Sequence, residues 1–270
     1  MKSRCFSVLM SLYYKESPSN LYACLDSLAN QTVQAGEIVL VIDGEISDEL
    51  MDVINFYKNT LPLKIYPLSK NVGLGNALNY GLGFCSNELV ARMDTDDICL
   101  PVRFERQIKL FNDNDSLSMI SSAIIEFDED GNERLKVLPS DMESIKKFSV
   151  YKNPFNHMSV MFKKSIVVKL GGYIHHLYME DYNLWLRMIA NGCALYNDPT
   201  VLVRARVNRS TLLKRRGWIY IKSELLLFKE KNRLGITQPF IGALILIMRS
   251  LPRVLPLWIL NVIYSYDRSK

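Results

Sequence analysis

Four apolar runs of strand length, separated by stretches whose apolar residues recur at helical spacing, constrain the first hundred residues to one kind of architecture. The runs are residues 5–12, 38–42, 63–66 and 88–92. Between them lie Leu21, Cys24, Leu25 and Leu28, then Leu50, Val53, Ile54 and Tyr57, then Leu74, Ala77, Leu78 and Leu82. Ser17-Pro18-Ser19 supplies cap and first-turn chemistry for the first of these helices. Strands alternating with helices of this length predict an α/β fold with a mostly parallel sheet and right-handed crossovers. Ligands of such sheets bind beyond the carboxyl ends of the strands. Ser11, Tyr13, Asp43, Lys70, Asn71 and the string Arg92-Met93-Asp94-Thr95-Asp96-Asp97 all fall on that edge.

The acidic string is the most specific of these strand ends. On an extended or turning backbone, residues two apart project to the same side, so Asp94 and Asp96 can converge. Two like charges tolerate this when a cation lies between them. Oxygen ligands with open positions suit Mg2+ or Mn2+, normally shared with substrate phosphates. Read alone, the string is equally a solvated acidic turn ahead of the helix that follows Pro101. Asp97 is expected to point away and cap that turn. The loop Asn71-Val72-Gly73-Leu74-Gly75-Asn76 leads straight into a helix, where glycines and free amides suit an anionic diphosphate. It is not a G-x-G-x-x-G loop, and an ordinary strand-to-helix turn has the same composition.

Further along, a helix with Phe104, Ile108, Leu110 and Phe111 precedes a strand near 117–127, a hairpin tip at 128–132 and a helix over 141–149. Residues 156–162 read as a strand with polar residues at its entrance, among them His157, either a buried core histidine or a site residue. Gly171-Gly172 turns the chain into a helix that carries Glu180, Asp181, Trp185 and Arg187. Acids favour a helix amino end through the dipole, so the pair has a structural explanation. A carboxylate there, beside a metal–diphosphate cleft, is also what a hydroxyl nucleophile needs as general base.

Hydrophobic content of 49% and charged content of 23% are those of a folded chain. The five cysteines are odd in number and lack a C-x-x-C pair, which leaves no sign of a zinc site or disulfide framework and fits a reducing cytoplasm. Lys2 and Arg4 precede a stretch too often interrupted by polar residues for a secretory signal. Net charge is +5, but residues 201–270 hold fourteen Lys or Arg against three acids, so the first 200 are net acidic. The tail carries Arg204, Arg206, Arg209, Lys214, Arg215 and Arg216, a helix around 217–233, and apolar runs at 240–248 and 254–260. Arg249, Pro252, Arg253 and Pro256 interrupt those runs, and each is too short to span a bilayer. They suit an interfacial or re-entrant segment, or a helix pair docked on the remainder. The expected organisation is a catalytic domain over 1–200 and a basic, apolar helical extension over 201–270.

Taken in order and spacing, these motifs resemble family 2 glycosyltransferases of the GT-A fold, a likeness that covers about the first 200 residues. The acidic string is similar to that family's metal and nucleotide motif, and Glu180-Asp181 with Leu184, Trp185 and Arg187 to its acceptor-side motif. The resemblance implies that Asp43 contacts the uracil of a UDP-sugar and that Asn71 and Gly73 flank the nucleotide, with Lys70 and Asn76 beside them. It implies that Asp94 touches ribose or metal, that Asp96 binds the divalent ion, and that Asp181 is the base with Glu180 beside it. Ser11, Tyr13, Arg92, His157, Trp185 and Arg187 complete the expected substrate contacts. Size and tail look most like bacterial transferases that build O-antigen or exopolysaccharide repeats on undecaprenyl diphosphate. That likeness implies an inverting enzyme with a polyprenyl diphosphate-linked acceptor, peripheral on the cytoplasmic face of the inner membrane. The absence of long apolar spans argues against processive synthases. Two alternatives use the same residues: a nucleotidyl- or phosphotransferase on this sheet edge, and a nucleic-acid-binding module on the tail. The first lacks basic residues for a triphosphate, with only Lys70 and Arg92 available. The second lacks aromatics interleaved among its charges, so no nucleic-acid partner is expected.

Overall fold

The computed structural model describes residues 5–207 and 217–254. Arg209, Lys214, Arg215, Arg216 and the apolar run 255–260 lie outside the described residues. The four expected strands form as β1 (Phe6–Leu12), β2 (Glu37–Asp43), β3 (Leu63–Leu68) and β4 (Leu89–Arg92), all parallel in the spatial order β3-β2-β1-β4. The helices between them are α1 (Pro18–Ala29), α2 (Asp48–Tyr57) and α3 (Leu74–Phe84).

Period-two alternation sends the strands' side chains to two cores. Phe6, Val8, Met10 and Leu12 of β1, with Ile38, Leu40 and Ile42 of β2, pack under α1, α2 and α4 (Arg103–Asp113). Leu9, Val39 and Val90 face the opposite layer, with Leu78 and Leu82 of α3 and Leu184, Trp185 and Met188 of α7 (Glu180–Ala190). A Cβ on Gly81 would lie 2.6 Å from Val41 Cγ2 and 2.7 Å from Leu9 Cδ1. Only glycine lets α3 lie this close to the sheet.

Beyond β4 the sheet continues with β8 (Met161–Lys163), β6 (Leu117–Phe127), β9 (Ala194–Arg206) and the two-residue β5 (Ile98–Cys99), while β7 (Glu133–Lys136) forms a hairpin with β6. Strand β8 is antiparallel to β4 and β6, and β9 is parallel to β6. The carboxyl ends of β6 and β9 therefore share the edge of β4. The change to a basic composition near residue 200 lies inside β9.

Residues 156–162 are not one continuous strand. His157–Ser159 form a 3-10 turn, and β8 begins only at Met161. Ser159 explains the break: its hydroxyl accepts from the Ser122 amide at 3.0 Å and meets Ser121 Oγ at 2.9 Å, a side-chain substitute for ladder pairing.

Helices α5 (Met142–Ser149) and α6 (Lys164–Lys169) cover the same layer as α7. The last described elements are α8 (Gly217–Arg233) and α9 (Pro239–Val254), packed on each other, with α8 also packed on α7 through Tyr182, Leu186, Tyr220 and Leu227. Helix α9 runs without a break through Arg249 and Pro252, and Arg249 turns toward α8 to pair with Glu224. Among the described residues, no helix is long and apolar enough to cross a membrane.

Candidate active site

Where β4 leaves the sheet, one oxygen from each of Asp94, Asp96 and Asp97 lies within 4.8 Å of the other two. Burial, then the neighbouring Asp94 and Glu16, pushes Asp96 up to about 7. Burial, then Asp94 and Asp96, holds Asp97 well above the usual carboxylate range. Asp97 does not point away as expected. Its Oδ1 accepts the Arg206 amide of β9 at 2.8 Å, and its buried Oδ2 has no hydrogen-bond partner. Three crowded carboxylates with an orphaned buried oxygen fit a hard divalent cation. Asp94, Asp96 and Asp97 are the residues that would hold it.

Arg92 is buried beneath this cluster, its Nη1 in an ion pair with Asp94 but off the hydrogen-bonding direction. The backbone there is braced by Arg103, which sequence reading passes over as an ordinary first-turn residue of α4. Fully buried, it donates from Nη2 to the Arg92 carbonyl at 2.6 Å and sets Nη1 3.1 Å from Met93 Sδ. Thr95 Oγ1 donates to Glu16 Oε2 at 2.8 Å, which ties the acidic string to the turn after β1. Tyr13 is half-buried in that turn, its hydroxyl proton held more tightly by burial, then by Glu16 and Asp96. Ser11 is partly buried near the end of β1.

Asp43, at the end of β2, organises the neighbouring loop. Its carboxylate accepts the Val72 amide at 2.7 Å and the Gly73 amide at 3.1 Å, while Asn71 Nδ2 donates to its carbonyl at 3.1 Å. Gly44 and Gly73 both sit at positive φ, +89° and +85°. A Cβ at Gly44 would come within 2.8 Å of the Asn71 amide nitrogen, so glycine is required for the two loops to meet. Lys70, Asn71 and Asn76 are exposed, and Asn76 Nδ2 returns to the Val72 carbonyl at 2.9 Å.

A second group of acids, Glu180 and Asp181, stands at the amino end of α7. Burial, then the adjacent Asp181, pushes Glu180 up to about 7. Asp181 is also raised, by burial, against the opposing effect of amides that hydrogen-bond its charged form. Those amides are Tyr182 N on Oδ1 and Asn153 Nδ2 on Oδ2, each at 2.7 Å. Nothing in the sequence links Asn153 to a carboxylate 28 positions away. The turn into α7 passes through Tyr178 at φ 67°, a conformation that favours glycine, with its ring stacked on Tyr220 of α8.

The field of Arg92 reaches both sides, lowering the proton affinity of Asp96, Asp97, Glu180 and Asp181. The buried Arg92 thus lies near both groups of acids, and Glu180 packs against Gly75 in the first turn of α3. His157 is buried, Nε2 3.0 Å from the Tyr173 hydroxyl, and burial followed by Arg92 keeps it neutral. Trp185 and Arg187 are placed otherwise than expected for substrate contact. Trp185 is fully buried in the core beside Phe155 and His157. Arg187 has its guanidinium committed to Asn183 Oδ1 and the carbonyls of Leu170 and Gly172, which anchors the turn that carries Tyr173.

Comparison with known proteins fits this geometry. The model of the family described as "Glycosyl transferase family 2" matches residues 7–169, more than half of the chain, from β1 to the end of α6. The chain belongs to glycosyl transferase family 2. It is 51% identical to the amylovoran biosynthesis glycosyltransferase AmsE of Erwinia amylovora, over 97% of this chain and 99% of that protein. It is 40% identical to the UDP-Gal:alpha-D-GlcNAc-diphosphoundecaprenol beta-1,3-galactosyltransferase of Escherichia coli, over 82% of this chain and 80% of that one. Among solved structures, S. aureus TarS 1-349 in complex with UDP-GlcNAc superposes with a TM-score of 0.71 at 17% identity, covering 92% of this chain and 72% of that one. The mannosyltransferase PcManGT of Pyrobaculum calidifontis, in complex with GDP-Man and Mn2+, gives 0.65 at 16% identity, covering 100% and 82%. At these identities the structural likeness speaks for the fold alone, and it is the GT-A arrangement that the transferase's motifs imply.

Proposed function

We propose that the chain is a metal-dependent, inverting transferase that moves a hexose from a UDP-sugar, UDP-galactose or UDP-glucose, to a hydroxyl of a polyprenyl diphosphate-linked saccharide. The setting would be O-antigen or exopolysaccharide biosynthesis, at the cytoplasmic face of the inner membrane. The observation that carries the reading is the convergence of Asp94, Asp96 and Asp97 where β4 leaves the sheet, with Arg92 buried beneath them and Glu180, at the start of α7, packed against Gly75 at the start of α3. The names of the relatives support the donor and acceptor classes: one uses UDP-Gal and a diphosphoundecaprenol-linked sugar, another builds amylovoran.

Asp96, with Asp94 and Asp97, would hold Mn2+ or Mg2+, which when bound neutralises charge on the departing diphosphate. The loop ordered by Asp43 offers backbone amides and the start of α3 to the nucleotide. Asp181, fixed by Asn153 and the Tyr182 amide, takes the proton of the acceptor hydroxyl. That oxygen attacks the anomeric carbon opposite the nucleotide, the bond from that carbon to the diphosphate oxygen breaks, and UDP leaves with the electron pair. Burial raises the proton affinity of Asp181, which suits a base working near neutral pH. One displacement inverts the centre, so an α-linked donor yields a β-glycoside.

The membrane part of the reading rests on α9. Phe240, Leu244, Ile247, Met248 and Leu251 are exposed at spacings of four, three, one and three, a stripe along one side of the helix. Trp218 and Ile219 at the start of α8 are exposed as well. An apolar stripe on a basic extension suits an anionic lipid surface.

The test is UDP release from UDP-galactose, UDP-glucose and their N-acetyl forms, with a synthetic polyprenyl diphosphate-linked GlcNAc as acceptor and Mn2+ present. One hexose donor is expected to turn over, with a β-linkage read from the anomeric proton coupling. An α-linked product would overturn the single displacement.

A further inference from the structure

Three consecutive carbonyls at the carboxyl end of α5, those of residues 149–151, are each taken by a side chain from a different helix. The Tyr182 hydroxyl of α7 donates to the Ser149 carbonyl at 2.6 Å. Lys231 Nζ of α8 donates to the Val150 carbonyl at 2.7 Å, and Arg249 Nη1 of α9 donates to the Tyr151 carbonyl at 2.6 Å. Two residues later comes Asn153, whose amide holds Asp181 Oδ2 at 2.7 Å.

The three donors are joined to one another. Lys231 Nζ also donates to the Tyr182 hydroxyl at 2.9 Å and lies over its ring, 4.7 Å from the centroid. Arg249 holds Glu224 of α8 through two hydrogen bonds, 2.7 and 2.9 Å, and stands 5.8 Å from the Tyr182 ring centroid. Lys231 and Glu224 are both buried. Burying a lysine and an ion pair is expensive, and apolar residues would pack this helix pair more cheaply. The network is aimed at the backbone of residues 149–151, which a simple helix-to-helix contact does not require.

We infer that the C-terminal helix pair is part of the catalytic apparatus: Lys231 and Arg249 are positioning residues that set the Asp181 carboxylate through the Ser149–Asn153 segment. The inference rests on the reading of Asp181 as the base. Without the two side-chain donors the Val150 and Tyr151 carbonyls lose their partners from α8 and α9, and Asn153 loses its fixed approach to Oδ2. A base displaced by about 1 Å loses roughly a hundredfold in rate while substrate affinity is untouched. The extension proposed to meet the membrane would thereby also hold the base in register.

The test is a double-mutant cycle on the full chain, with kcat, acceptor KM and UDP-sugar Kd measured for Lys231→Met, Asn153→Ala and the pair. Lys231→Met is expected to lower kcat about 10- to 100-fold with KM and Kd within about twofold. The double variant is expected to fall no further than Asn153→Ala alone, because both act on one contact. Lys231→Arg, which keeps the donors, is expected to recover most of the rate. If Lys231→Met does not fold, Arg249→Lys carries the same measurements, since it leaves a cation opposite Glu224 while withdrawing the donor from Tyr151. Wild-type kcat in the single variants, or losses that multiply in the pair, would overturn the inference. Asp181→Asn run alongside separates the two readings: full turnover there removes the base itself, whereas an inactive Asp181→Asn beside a fully active Lys231→Met removes only the positioning role.

Discussion

The backbone of Gly75 rests against the side chain of Glu180: a Cβ on Gly75 would lie 3.0 Å from Glu180 Cβ and 3.4 Å from its Cγ. The helix start offered to the nucleotide and the helix start that carries the acceptor-side acids are thus in direct contact. Gly75→Ala adds a methyl group at that contact. Its gain in helix propensity, up to about 1 kcal/mol, is offset by the shift forced on Glu180. Melting temperature is expected to change little while turnover falls several-fold, and Gly75→Val should be inactive. Wild-type turnover in Gly75→Val would show that the two helix starts move independently.

Glu180 makes a prediction about stability and pH. Its folded-state value of about 7 stands above the ordinary 4.5. Below about 4.5 it is protonated in both folded and unfolded chains. As pH rises to about 7 the unfolded chain releases the proton first, so folding loses free energy across that window and the loss is complete above it. Glu180→Gln cannot ionise, and is expected to melt higher than wild type at pH 8, by an amount equivalent to about 2 kcal/mol after allowance for partial exposure, and alike at pH 4. Equal melting at both pH values would mean that Glu180 is not raised.

The parallel half of this fold is legible in the sequence because apolar runs and helical spacing are local signals. Strand ends follow from strands, so Asp43, Asn71 and the acidic string could be placed on one edge from spacing alone. The antiparallel half is harder. Strand β8 is three residues long and is preceded by a turn that a serine hydroxyl splices into β6, a contact made across 37 positions. Trp185 and Arg187 share the acceptor-side helix with Asp181, but which way each faces depends on where α7 packs, and tertiary packing turned both inward. Asn153 and Arg103 act through contacts with residues that no periodicity connects to them.

The acidic cluster predicts a split between its members. Asp96→Ala is expected to abolish Mn2+ binding in calorimetry and to leave no activity, and excess chelator should silence the wild type. Asp97→Ala is expected to do more harm than an exposed acid would, because it leaves the half-buried Arg206 amide without its carboxylate partner, at a cost of about 1 kcal/mol. Asp97→Asn keeps an acceptor for that amide, so it should melt near wild type while binding Mn2+ more weakly. Undiminished turnover in excess chelator would remove the metal from the mechanism.

The stripe on α9 predicts how the protein meets a bilayer. Each of its leucine and isoleucine side chains would gain about 1.5–3 kcal/mol on leaving water, and the surrounding lysines and arginines add attraction to anionic headgroups. Neither contribution inserts the helix through the membrane. The protein is therefore expected to float with vesicles containing anionic lipid at low salt, to float poorly with neutral vesicles, and to be released by high salt or alkaline wash. Leu244 and Ile247 are exposed on the stripe, away from the Arg249–Glu224 contact that joins α9 to α8. Leu244→Glu with Ile247→Glu should accordingly lower vesicle binding at least tenfold while leaving the melting temperature in place. Turnover with a soluble, short-chain acceptor should be unchanged in that variant, and turnover with a vesicle-embedded acceptor should fall. Unaltered flotation of the double variant would move the lipid contact off α9, and resistance of the wild type to alkaline extraction would show that the chain is embedded in the bilayer.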